Sequence, residues 1–144
     1  MSQGNVDFVR ALLEAYRNPQ AVALLASGDL DLSFVDPEIE WDASQLSEMI
    51  PDLAEVYHGH EGVRTYWRRW FEAWRDLEFD VGDVLDAGDD VVALIDNQRQ
   101  WGRHTGIATI LPPYAQVFTL RDGIVVRWRT FPTQAEALDA VGLA

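Results

Sequence analysis

This chain of 144 residues has no cysteine and no lysine, and all 11 of its basic side chains are arginines. Without cysteine there is no disulfide framework, thiolate nucleophile, iron–sulfur cluster or cysteine-ligated zinc. Without lysine there is neither Schiff-base chemistry nor a phosphate-loop lysine. Long apolar runs are missing too: no stretch approaches the roughly 18 residues of a membrane span. The opening Met1-Ser2-Gln3-Gly4 carries no charged and apolar leader, so a cytoplasmic protein is expected. Positive charge is scarce. Against 24 acidic side chains, the arginines leave a net charge of −13. That excess repels phosphate backbones and anionic lipid, so no nucleic acid and no membrane partner is expected. What is present argues for a folded core: 48% hydrophobic residues, six of them tryptophans among the rest, and a length suited to one domain spanning 1–144.

Periodicity orders the chain. Val9, Leu12, Leu13 and Tyr16 share one helical face, and Asn18-Pro19 ends that helix and caps a second, which stops near Gly28. Residues 29–35 read either as a helical turn or as the start of a strand. Glu38-Ile39-Glu40-Trp41-Asp42 alternates with period two, as a half-buried strand does. Residues 43–57 are irregular and read as a loop over the domain. Val63, Tyr66, Trp67, Trp70, Phe71 and Trp74 give a third helix a wide apolar face. Strands are expected over roughly 77–86, 91–101, 104–111, 114–120 and 124–131, joined by short turns that make neighbours antiparallel. Thr133-x-x-Glu136 is a capping box for a last helix. Helices, then a run of antiparallel strands, then a helix is an α+β pattern.

The order of elements, together with Phe34-Val35-Asp36-Pro37-Glu38-Ile39-Glu40-Trp41-Asp42, Tyr57-His58-Gly59-His60-Glu61-Gly62-Val63, Leu120-Arg121-Asp122-Gly123-Ile124-Val125 and the ending from Glu136 to Leu143, resembles the nuclear transport factor 2-like superfamily. Within it, the chain is similar to the SnoaL-like proteins, a group named for a polyketide cyclase. The resemblance implies an α+β cone: a curved, mostly antiparallel sheet around a pocket closed by the N-terminal helices, with a short C-terminal helix. It also implies a homodimer.

Such cones serve as isomerases, cyclases, dehydratases and catalytically silent binding modules, so function has to rest on side chains. By resemblance, Asp42 falls where ketosteroid isomerases carry a general-base aspartate, a role that a carboxylate beside apolar walls can fill. Its alternative is an exposed strand end. Tyr16 falls at the isomerases' oxyanion-hole tyrosine, or is a core tyrosine bonded to backbone. Gln116 stands where those enzymes have an acid; it can donate a hydrogen bond but can move no proton. His104 resembles a strand histidine of the cyclases, or is a solvated turn residue. His58 and His60 form a pair without a third ligand, and the sequence implies no metal and no cofactor. Trp41, Trp67, Trp101, Phe118 and Trp128 are the candidate walls for an apolar, ring-bearing metabolite, although the facing of Trp41 and Trp101 is open. Three functions remain: a cofactor-independent enzyme with Asp42 as base, a pocket that only binds, and a dimerisation module.

Overall fold

Local signals set most of the elements, and we describe them from a computed structural model that covers residues 2–48 and 50–143. Met1 of the expected leaderless start, Met49 of the expected 43–57 loop and the final Ala144 lie outside the described residues. Helix α1 spans Ser2–Ala15 and buries Val6, Val9 and Leu13. Helix α2, Pro19–Ser27, begins where Asn18 Oδ1 accepts from Gln20 N at 2.8 Å. It ends at Gly28, whose φ of 85° is a left-handed cap that glycine adopts without strain. Strand β1, Val35–Asp42, is followed by two 3₁₀ turns, Ser44–Leu46 and Pro51–Leu53, and a short strand β2, Val56–His58. Helix α3, Gly59–Ala73, runs directly into β3, Trp74–Ala87. Then come β4, Asp90–Gly102, β5, Ala108–Leu111, β6, Tyr114–Arg121, and β7, Ile124–Phe131. Helix α4, Gln134–Ala140, starts as the capping box implies, with Thr133 Oγ1 accepting from Glu136 N at 3.1 Å.

The strands form one curved, open sheet ordered β2-β1-β7-β6-β4-β3, with β5 also paired to β4. All pairings are antiparallel except β1 with β7, where Trp41 lies beside Trp128 and Asp42 beside Arg129. Helices α1, α2 and α3 cover the inner face and share the main core with it. Helix α4 does not close that side. It lies on the outer face, where Ala137 packs with Val92, Ala115 and Val117 in a second, smaller core.

Two departures from the expected strands matter for the site. The expected strand 104–111 is shortened to Ala108–Leu111, because residues 103–105 form a turn and Gly106 takes φ 69°. The other is a paired irregularity in the longest hairpin. Between the pairs Asp80↔Asn97 and Val81↔Ile95, β4 carries one extra residue, Asp96; between Val81↔Ile95 and Val84↔Ala93, β3 carries an extra one beside Gly82. A bulge reverses the side-chain alternation on its strand. Before it, Val91 and Ala93 face the inner core while Val92 faces the outer one; after it, Gln98 and Gln100 face inward. Strand β3 switches in the same place, from Leu77 and Phe79 to Val84.

Gly82 permits this close approach. A Cβ there would fall 2.8 Å from Asp96 Cγ, and Asp96 is held by Gln134 Nε2 at 3.1 Å. The added methyl group must displace the exposed Asp96 carboxylate and its bond from Gln134, so Gly82→Ala is expected to destabilise the fold by about 1 kcal/mol. A urea midpoint equal to that of the unmodified chain would show that the hairpin accommodates the methyl group freely.

Candidate functional site

The inner face of the sheet and the three helices over it form a cavity of about 130 Å³. Its walls are mainly aromatic. Trp41 and Trp128, neighbours in the β1–β7 register, stack with ring centroids 4.1 Å apart and planes inclined by 15°. Tyr66 of α3 packs beside both, at 6.0 and 5.9 Å, and Trp67 meets Tyr66 edge-on at 5.0 Å. Such aromatic pairs add about 0.5–1.5 kcal/mol each to the burial of their area. Helix α3 supplies this wall because Val63, Tyr66 and Trp70 recur at helical spacing on its buried face.

Five polar side chains of the cavity, from Trp128 to Gln100, form one chain of hydrogen bonds along the strands. Trp128 Nε1 donates to Gln116 Oε1 at 3.4 Å, and Gln116 Nε2 to the Tyr114 hydroxyl at 3.5 Å. The Tyr114 hydroxyl donates to Gln98 Oε1, and Gln98 Nε2 to Gln100 Oε1 at 3.0 Å. Thr130 Oγ1 also lines the cavity and donates to the Ala115 carbonyl at 3.4 Å. No aspartate, glutamate, histidine or arginine lines it among the described residues.

Of the residues named from sequence, the structure brings Tyr16, Gln116, Trp41, Trp67, Phe118 and Trp128 to this one cavity. Asp42, His104 and Trp101 lie elsewhere. Trp41 lines the cavity, so the next residue of an alternating strand turns to the other face. There Asp42 Oδ1 accepts from Ser44 N at 2.9 Å and Ser44 Oγ at 2.5 Å. Arg129, its register partner, shares that face with Arg127, whose Nε lies 2.7 Å from Glu40 Oε2. Burial, and then the neighbouring Arg127, lower the Arg129 pKa. His104 is exposed in the turn between Gly102 and Gly106. Trp101 opens onto a separate polar groove with Arg17, Arg75 and Arg99, because the bulge at Asp96 turns it outward as it turns Gln100 in. His60 meets the Val35 carbonyl through a ring nitrogen at 2.7 Å, and His58 is exposed at the head of α3.

Sequence reasoning missed Gln98 and Gln100. Their alternation with Arg99 and Trp101 is visible, but which pair faces inward is decided by the bulge. Tyr66 was legible as an apolar-face residue, without its role as a cavity hydroxyl.

The SnoaL-like domain family matches residues 8–128 of the sequence. The chain belongs to this family. No curated protein matches the sequence. Among solved structures, this SnoaL-like chain is similar to an NTF2-like protein from Burkholderia pseudomallei K96243, with a TM-score of 0.70 and 19% identity over 95% of this chain and 96% of that one. It is also similar to a putative polyketide cyclase from Xanthomonas campestris pv. campestris, with a TM-score of 0.63 and 20% identity over 95% and 98%. A third is TerC co-crystallised with polyporic acid, with a TM-score of 0.63 and 18% identity over 84% and 91%. At these identities the likeness is one of fold.

Burial pushes the hydroxyls of Tyr66 and Tyr114 far above the ordinary phenol range, and it raises that of the half-buried Tyr16, with Asp31 adding to the shift. The cavity phenols are thus neutral donors. The sign of the linkage follows: above the free-tyrosine value of 10.0 the unfolded chain loses protons that the folded chain keeps, so stability falls as pH rises. Each such tyrosine contributes a slope of at most about 1.4 kcal/mol per pH unit. Tyr66→Phe should make the decline of unfolding free energy above pH 10 shallower by up to that amount, measured by urea denaturation at stepped pH. An unchanged slope would mean that Tyr66 is solvated in the folded chain.

Proposed function

We propose that this SnoaL-like protein binds a small, apolar, ring-bearing molecule and performs no acid–base chemistry on it. The observation that carries the reading is the composition of the cavity wall: among the described residues it consists of aromatic and aliphatic side chains with amide groups and neutral hydroxyls, and no carboxylate, imidazole or guanidinium. General acid–base catalysis requires such a group within hydrogen-bond reach of the substrate proton. Asp42, the expected base, is instead occupied with Ser44 on the other side of β1. The amide at Gln116 adds a donor where an acid would be needed.

Size restricts the occupant. An apolar cavity of about 150 Å³ holds a benzene-sized molecule, so the space here suits one ring and not a fused polycycle. Stacked Trp41 and Trp128 offer that ring a flat wall. The crystallisation of TerC, of the same fold, with polyporic acid supports a ligand site in this architecture.

Two measurements with one compound test the reading. Acetophenone should bind saturably, raising the melting temperature in step with its concentration, and Asp42→Asn should leave that affinity within about two-fold, as expected for a surface change. In D₂O the methyl protons of acetophenone should exchange at the buffer rate. Accelerated exchange that Asp42→Asn cuts by about 10²-fold or more would overturn the proposal in favour of a proton-transfer enzyme.

A further inference from the structure

The direction of the buried polar chain is fixed by its first member. An indole nitrogen only donates, so Trp128 Nε1 requires the oxygen of Gln116. That turns the Gln116 nitrogen towards the Tyr114 oxygen, and the single phenolic proton is left for Gln98 Oε1. Gln98 then presents its nitrogen to Gln100 Oε1. Each oxygen of the chain is engaged, and the surplus accumulates at the far end. Gln100 is 2% exposed and lines the cavity, and its Nε2 carries two N–H groups with no bond to a described residue. A second donor, Trp41 Nε1, is fully buried with no partner among the described residues. Buried donors without partners are costly and uncommon in folded proteins.

We propose that the ligand is an uncharged one-ring carbonyl compound whose oxygen accepts from Gln100 Nε2. This deepens the binding reading above and rests on it. An acceptor fits because Gln100 Nε2 and Trp41 Nε1 are spare donors, while every oxygen of the chain from Trp128 to Gln100 already accepts a bond. The compound is uncharged because no arginine lines the cavity among the described residues, so a carboxylate would be desolvated without a counter-charge.

Three probes distinguish the outcomes: acetophenone, α-methylstyrene, which has the same shape with CH₂ in place of oxygen, and benzoate. Comparing the unmodified chain with Gln100→Met cancels the probes' own hydration. The substitution should weaken acetophenone about five- to tenfold, the usual range for one net hydrogen bond, and leave α-methylstyrene within about two-fold. Benzoate should not bind. On the unmodified chain, the carbonyl stretch of bound ¹³C-labelled acetophenone should lie below its value in hexane. That spectrum decides the matter if Gln100→Met does not fold. A stretch equal to that in hexane, equal losses for both neutral probes, or benzoate binding tighter than acetophenone would overturn the carbonyl assignment while α-methylstyrene binding left the cavity reading standing. Binding of neither neutral probe would overturn both.

Discussion

The double bulge of the β3–β4 hairpin is the constraint on which the site depends. A strand in a curved sheet has one inner side, and strict alternation from Val91 and Ala93 would place Arg99 and Trp101 there. The cavity would then contain a guanidinium and a different aromatic wall. One extra residue at Asp96, matched by one beside Gly82, reverses the assignment and puts two glutamines inside instead. The same irregularity bends the hairpin, as bulges do. Shape and chemistry are thus set by one local event, in which the Asp96 carboxylate lies against Gly82 and is anchored by Gln134 at the start of α4. Through that anchor the helix on the outer face supports the geometry of the inner one.

Neutrality of the cavity follows from the same separation of faces. Strands β1 and β7 pair in parallel with Glu40 beside Arg127, Trp41 beside Trp128 and Asp42 beside Arg129. Charged and aromatic residues therefore alternate in step across the pair: the ions balance one another outside, and the indoles stack inside. The outer pairs are partly solvated and contribute little individually. Their value to the site is that no charge has to be desolvated within it. What remains inside are groups that donate or accept without changing protonation, and Trp128, which can only donate, gives them a common direction.

Features encoded within a few residues were legible in the sequence. Asn18-Pro19, Gly28 and Thr133-x-x-Glu136 are local signals, and each marks the boundary it suggested. The aromatic spacing of α3 was legible for the same reason. Strand β2 was not, because its three residues have only one buried position, Tyr57, and its pairing with β1 is a tertiary fact. The facing of β4 was not legible either, since a bulge leaves no mark in the hydrophobic pattern beyond a glycine on the neighbouring strand. Asp42 illustrates the sharpest limit. Position along the strand was read correctly, yet on a structure with period two a neighbour of a cavity residue is a residue of the opposite face, and Trp41 is the one that turns in.

The absences noted at the outset acquire a structural meaning from this arrangement. With no lysine or cysteine, arginine is the only strong cation available, and a guanidinium is large and always charged. Arg127 and Arg129 occupy the sheet face where ion pairs with Glu40 and Asp90 can form, at 2.7 and 3.6 Å. Arg99 is kept outward by the bulge, beside Glu78 at 3.4 Å. Each of these arginines sits one residue from a cavity-lining side chain: Trp128 lies between Arg127 and Arg129, and Gln100 follows Arg99. The acidic excess therefore has a specific consequence besides repelling polyanions. It supplies partners on the outer surface for the cations that flank the site, so the alternation of the strands yields a cavity with donors but without charge. The uncharged interior is thus a property of which face each residue occupies.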